Sequence, residues 1–319
     1  MKPKASLLST LLVGFLAANA GAWNDTGHMT IAELAWRSLS EGERQAASAL
    51  LRQHPHYAEL LVVGVPAGVE TNEWVFLKAS TWPDLVRPSA EDQPPKPDSI
   101  TRYHHGGWHY INLPFVASAD RAGIDPAVPP PGQTTLVERL GAMERLLRSD
   151  RVSASDRAVA LSWYLHLVGD IHQPLHCATW VSPTFPEGDR GGNEEAIKTD
   201  FRVMRLHAFW DELAGTDADH ASIVRNADTI TVDPTLAPAG LLELQTNQTY
   251  AAWAGESLEA AGRVAYLDGH VAHVPYQPDL SPRRVPALSR QYVKDARAVA
   301  SRRVALAGIR LARKLKGLF

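Results

Sequence analysis

Cysteine is almost absent. Cys177 stands alone among 319 residues, so no internal disulfide braces the chain, and stability must come from a core or from bound groups. Long apolar runs are missing too. After the N-terminal segment no stretch reaches the ~18 uninterrupted apolar residues of a membrane span. The charges nearly cancel, to −3 overall. That excludes a protein that coats nucleic acid by bulk positive charge, and any chemistry on phosphates must find its cations locally. Strand-like alternation never persists beyond a few residues and no internal repeat is visible, which argues against sandwiches, propellers and solenoids.

What is present begins with a leader. Lys2 and Lys4 precede an apolar run from Leu7 to Ala18, and Ala18-Asn19-Ala20 and Ala20-Gly21-Ala22 are both small-x-small cleavage sites. Residues 1–22 are therefore expected to be a cleaved signal peptide, with the protein secreted or periplasmic, in the bacterial periplasm. Residues 23–319 are expected to form one domain.

Helical signals dominate that domain. Ile31, Leu34 and Ala35 share a helical face after Trp23, and Ser40-Glu41-Gly42-Glu43 reads as an N-cap with acidic first-turn residues. That helix runs to about Arg52, where His54-Pro55-His56 breaks it. Residues 62–73 are weakly patterned, and Trp74–Ser80 is a helical turn leading to Thr81-Trp82-Pro83-Asp84. Pro88–Pro97, Val128–Thr134 and Ser182–Asn193 read as loops. Further helices are expected over Thr135–Leu147, Ser155–Gly169, around His207, near His220–Asn226, over Ala239–Val264 as one long helix, and over Ser289–Leu318. The class is all-α, a single-domain helical bundle.

The densest chemistry lies in His166-Leu-Val-Gly-Asp170-Ile-His-Gln-Pro-Leu-His176. His166 and Asp170 are four apart and share a helical face, and Pro174 forces a turn that swings His176 back. His207 and Asp211 repeat the spacing of four. Asp84, His109 and His28 add separate ligands in aromatic or glycine-flanked settings. Imidazole and carboxylate together suit zinc. His172 falls about 200° around the helix from Asp170 and is expected to be structural. His54, His56, His104, His105, His220, His270 and His273 are expected in solvated or capping roles.

On these residues the chain resembles the secreted single-strand-specific zinc nucleases of the S1/P1 type, relatives of zinc phospholipase C. The resemblance runs in order through Trp23 with His28, Trp82-Pro83-Asp84, Trp108-His109-Tyr110-Ile111, the 166–176 stretch, Gly191-Gly192-Asn193 and His207-Ala-Phe-Trp-Asp211. It implies a mostly helical fold of the phospholipase C/nuclease type and three Zn²⁺ ions. One ion would take Asp84, His109, His166 and Asp170. A second would take His176, His207 and Asp211. The third would take His28, Asp170 and the amino nitrogen and carbonyl oxygen of Trp23. The resemblance further implies hydrolysis of single-stranded DNA and RNA, and of 3′-nucleotides, to 5′-phosphate products by a hydroxide held between two zincs. Asp84, Arg87 and Asp170 would be catalytic, Arg87 as a phosphate-binding fork. Tyr110 would stack on a base, and Asn112 and Asn193 would contact substrate. Fungal members carry an Asp where this chain has Asn112, and Asn can both donate and accept.

The alternative is a zinc phospholipase C. Asp211, where those enzymes usually carry Glu, and the short step from Trp23 to His28 favour the nuclease. The C-terminal segment holds Arg302, Arg303, Arg310, Arg313, Lys314 and Lys316 and could be a basic membrane-surface helix; the favoured reading packs Val304, Leu311, Leu315 and Leu318 on the core. Expected partners are single-stranded nucleic acid and nucleotides only, with no membrane and no stable protein partner, the chain acting as a monomer.

Overall fold

The computed structural model describes residues 23–124, 135–200 and 202–319. The expected signal segment 1–22 and the expected loop Val128–Thr134 lie outside these. The described residues are 57 % helix and 6 % strand, which makes the class mainly helical.

Local signals place most helix starts. Helix α1 (Asp25–Ser38) is capped by Asn24, whose side chain accepts from Gly27 N–H. In α2 (Glu41–Leu51), Ser40 and Glu43 cap each other's backbone reciprocally. Helix α3 (Thr71–Leu85) is longer than its sequence suggests and holds Pro83 in its last turn, at the loss of one backbone rung. A short α4 (Asp98–Thr101) leads to the 3₁₀ turn Gly106–Trp108 and strand β1 (Leu113–Phe115). Thr135 and Glu138 form a second capping box for α5 (Leu136–Leu147). Ser153 caps α6 (Ala154–Asp170).

Helix α6 is the axis of the molecule. Every residue from Leu161 to Asp170 is buried. It packs on α3 and α5, while α1 packs on α3, α8 and the C-terminal α11. A helix buried all round should be apolar all round; Ser162, His166 and Asp170 are the departures, and all three are fully buried.

After α6, Pro174 opens a 3₁₀ turn to His176, and β2 (Ala178–Trp180) pairs in parallel with β1. Strand β3 (Glu195–Lys198) lies between β4 (Val203–Arg205) and β5 (Val274–Pro275), antiparallel to both. Helix α7 (Leu206–Asp211) follows β4 directly, then α8 (His220–Val232), α9 (Glu243–Thr246), α10 (Tyr250–Ala260) and α11 (Arg290–Lys316).

Two expectations need correction. Ala239–Val264 is not one helix: α9 stops at Thr246, and Thr249 caps a new start at α10 by accepting from Ala252 N–H. Threonine's hydroxyl offers the backbone an alternative to the helical bond, and here it wins. His54 and His56 are buried rather than solvated, and His56 Nδ1 accepts from Trp82 Nε1 at 3.0 Å. Burial drives the His54 pKa down to about 3, so the ring is neutral. The C-terminal helix packs on the core, as the favoured reading has it, with Leu318 partly buried against it. Val304, Leu311 and Leu315 are buried, and so are Arg303 and Arg310. No helix among the described residues is long and apolar enough to cross a membrane.

Candidate metal centre and cleft

The fold brings the predicted ligands into three adjoining groups. His28, His166 and Asp170 form one; Asp84, His109 and His166 form another; His176, His207 and Asp211 form the third. Within each, ligand atoms lie within 4.8 Å of one another. Asp170 sits at the junction, with Oδ1 3.3 Å from His28 Nε2 and Oδ2 3.3 Å from His166 Nε2 and 3.1 Å from His109 Nδ1. His176 Nδ1 is 3.9 Å from Asp170 Oδ1, so the third group abuts the first two. Trp23 is buried, and the adjacent Asn24 N–H donates to the Asp211 carbonyl at 3.4 Å. The start of the described chain thus lies beside Asp211.

Backbone carbonyls set the imidazole tautomers. A carbonyl only accepts, so the ring nitrogen facing it must carry the hydrogen. His166 Nδ1 donates to Ser80 O at 2.8 Å, His176 Nδ1 to His109 O at 2.7 Å and His207 Nδ1 to Gly191 O at 2.6 Å. Each Nε2 is left as a lone pair. His176 and His207 then point these lone pairs at each other across 3.1 Å. His166 Nε2 lies 2.9 Å from His109 Nδ1 and also faces Asp170. Both ring nitrogens of His28 and Oδ1 of Asp170 are buried with no hydrogen-bond partner among the described residues. The facing lone pairs of His176 and His207, away from water, repel each other unless a cation sits between them, which is what a metal site supplies.

The electrostatics agree. Burial pushes Asp170 and Asp211 well above the usual carboxylate range, and neighbouring carboxylates add to it. Burial pushes His28 and His109 well below the usual histidine range, and neighbouring imidazoles add to that. The imidazoles are in their ligating, neutral form, and the acids need positive charge to ionise. His and Asp as donors suit Zn²⁺, so these residues fit the group implied above.

A family model for the S1/P1 nucleases matches residues 23–319. This chain belongs to the S1/P1 nuclease family. Endonuclease 2 of Arabidopsis thaliana is similar to it, 26 % identical over 218 residues, which span 64 % of this chain and 60 % of that protein.

In this S1/P1 member the centre opens into a cavity of about 340 Å³ that reaches His109, His176 and His207. Arg87, Tyr110, Asn112 and Asn193 all line it. Tyr110 is 43 % exposed, unusual for a large ring beside a buried centre. Arg87 Nη2 lies 3.4 Å from Asp84 Oδ1.

Several residues that serve the site escaped sequence reasoning. Gln173 donates to Asp211 Oδ1 at 2.8 Å while its oxygen accepts from Leu175 N–H, so one side chain ties the turn to the third group. Gly169 makes room for His28: a Cβ there would lie 2.6 Å from His28 Nδ1. Arg190 and Arg205 also line the cavity. The Gln-Pro step and the glycine before Asp170 were visible signals; the carbonyls of Ser80 and Gly191 had none, because a backbone acceptor has no sequence signature.

Proposed function

We propose that this chain is a zinc-dependent phosphodiesterase that hydrolyses single-stranded DNA and RNA, and 3′-nucleotides, to 5′-phosphate products. The observation that carries this reading is a set of three buried His/Asp groups joined at Asp170 and opening into a cleft with guanidinium and aromatic walls. Asp84, His109, His166 and Asp170 would hold one Zn²⁺, His176, His207 and Asp211 a second, and His28, Asp170 and Trp23 a third. Bound zinc supplies Lewis acidity, lowering the pKa of water toward neutrality and polarising phosphoryl oxygen.

The protein's own groups do the rest. Arg87 offers a planar fork to a non-bridging phosphate oxygen. Asp84 and Asp170 hold the charge that keeps the centre assembled. Tyr110 presents a face on which a base can stack, which tolerates any sequence but requires the base to leave a duplex stack. Asn112 and Asn193 flank that face. Single strands should therefore outrun duplex.

Export is part of the proposal. Removal of residues 1–22 would leave a free α-amine on Trp23, whose ordinary pKa near 7.7–8.0 lets a metal displace its proton close to neutrality. N-terminal sequencing of the exported protein tests this, and a start other than Trp23 sinks it.

The deciding experiment is metal analysis and a substrate panel on one purified sample: single-stranded DNA, duplex DNA, RNA, 3′-AMP and phosphatidylcholine. We expect about three zincs per chain, rapid hydrolysis of single strands, slow hydrolysis of duplex and none of the lipid. Lipid hydrolysis without nucleic-acid hydrolysis would replace this reading with a phospholipase C.

A further inference from the structure

The wall of the cleft has a one-sided chemistry. None of the described residues that line it is acidic; its polar side chains are guanidiniums, amides, the Tyr110 phenol and the ligand imidazoles. Arg205 is held from two sides. It stacks over Tyr276, 4.6 Å from the ring centroid, and its Nη1 donates to Asn193 O at 2.8 Å. Its Nε is buried and has no hydrogen-bond partner among the described residues. Arg190, by contrast, is 77 % exposed and 3.6 Å from Glu194, and Arg87 lies beside Asp84 at the centre.

We propose that Arg205 is a specificity-determining residue that makes this cleft prefer guanine to adenine. The proposal rests on the nucleic-acid reading above. A guanidinium carries donors only. Guanine sets two acceptors, O6 and N7, side by side, and a planar fork meets both. Adenine sets an N6 amino donor beside N7, so the same fork meets one acceptor and one donor. Tyr110 stacks on either purine and does not discriminate. A fork held by stacking on Tyr276 and by the Asn193 carbonyl is already oriented, so little freedom is lost when a base binds.

The test is equilibrium binding of 5′-GMP and 5′-AMP to the zinc-loaded protein, together with mapping of cut sites on a mixed-sequence single strand. For the native chain we expect GMP to bind about tenfold more tightly than AMP, within the range of one good bidentate contact, and cuts to be enriched beside G. In Arg205→Gln the ratio should fall to about twofold or less, through weaker GMP binding with AMP little changed. Arg205→Lys keeps the charge but not the fork and should also lose the preference. Zinc content is followed in each variant because Arg205 adjoins α7; the ratio itself is indifferent to a general loss of sites. Equal GMP and AMP affinity in the native chain, or an unchanged ratio in both variants, overturns the proposal. Selective binding with no cleavage of any strand would leave it standing and overturn the phosphodiesterase reading instead.

Discussion

Two buried charge systems flank the turn that ends α6, and they are solved in opposite ways. On one side, Glu256 receives Arg303 at 2.5 Å and both guanidinium nitrogens of Arg310, at 2.6 and 2.8 Å. Burial opposes ionisation of Glu256, but the two arginines outweigh it and hold the carboxyl below its ordinary range. The same arginines grip the turn: Arg303 Nε donates to His172 O at 3.1 Å, and Arg310 Nη1 meets His172 Nε2 at 2.9 Å. Ser257 adds a bond to Ile171 O at 2.6 Å. On the other side, Asp170 is two residues from His172 and fully buried; the side chains nearest it are the imidazoles of His28, His109 and His166, and the charges of Asp84 and Asp211 add to burial in opposing its ionisation. The first system neutralises itself. The second is one that a cation from outside would complete, which is the difference between a structural clamp and a candidate metal centre.

The comparison breaks most sharply at Asp170. Asp170→Asn keeps the shape but removes the shared negative charge. We expect more than one zinc to be lost and activity to fall by more than about 100-fold, beyond the usual cost of losing a supporting contact. Folding stability measured in chelator should change little or rise, since an unpaired buried acid has gone. Three tightly held zincs and a normal rate would remove Asp170 from the junction.

Glu256 should behave the other way. Glu256→Ala leaves two buried guanidiniums without their acid, a change that costs about 3–5 kcal/mol in comparable buried systems. Chemical denaturation should show that loss with or without zinc. A loss that vanishes on adding zinc would mean the two systems are one.

How much of this was legible beforehand follows the same division. The metal side could be read because helical spacing alone pairs His166 with Asp170 and His207 with Asp211, and because Pro174 enforces the turn. The capping residues Ser40, Thr135 and Ser289 marked helix starts for the same local reason. The clamp could not be read. Glu256, Arg303 and Arg310 look like solvated charges in any local window, and only the packing of α11 and α10 behind α6 buries them. His54 and His56 fail alike: their polar neighbours in sequence are replaced by Trp82 and Tyr103 in space. Long-range contacts decide burial, and a single sequence does not carry them.

Gly169 sharpens the comparison from within the metal side. Alanine is the better helix former by about 1 kcal/mol, so on propensity alone Gly169→Ala should stabilise α6. Its Cβ, however, would lie 2.6 Å from His28 Nδ1, and Ile31 Cδ1 stands at 3.5 Å on the same side. We expect His28 to be displaced, one zinc to be lost preferentially, and activity to fall by roughly tenfold, the scale of a disturbed supporting contact, while the Glu256 clamp is untouched. Full zinc occupancy with raised stability would show that His28 can yield without cost.

Glu195 offers a third solution, and with it the smallest effect. It is fully buried; Oε1 accepts from Val274 N–H at 3.1 Å, and Oε2 has no hydrogen-bond partner among the described residues. His273 Nδ1 stands 3.9 Å from Oε2, and burial lowers the pKa of that ring, which disfavours its charged form. With neither arginine nor metal at hand, the carboxyl keeps its proton: burial, with the charge of Asp189 adding to it, raises its pKa to about 8. The folded state therefore holds a proton that the unfolded chain releases near the ordinary glutamate value. Stability attributable to Glu195 is intact in acid and declines as pH rises from about 4.5 toward 8. Glu195→Gln imitates the protonated form and should abolish that decline. At constant zinc, the difference in unfolding free energy between variant and native chain should move in the variant's favour by on the order of 1 kcal/mol or more between about pH 5 and pH 8. Parallel stability curves across that interval would mean that Glu195 ionises without penalty, and that a buried acid here needs neither a guanidinium, nor a metal, nor a proton.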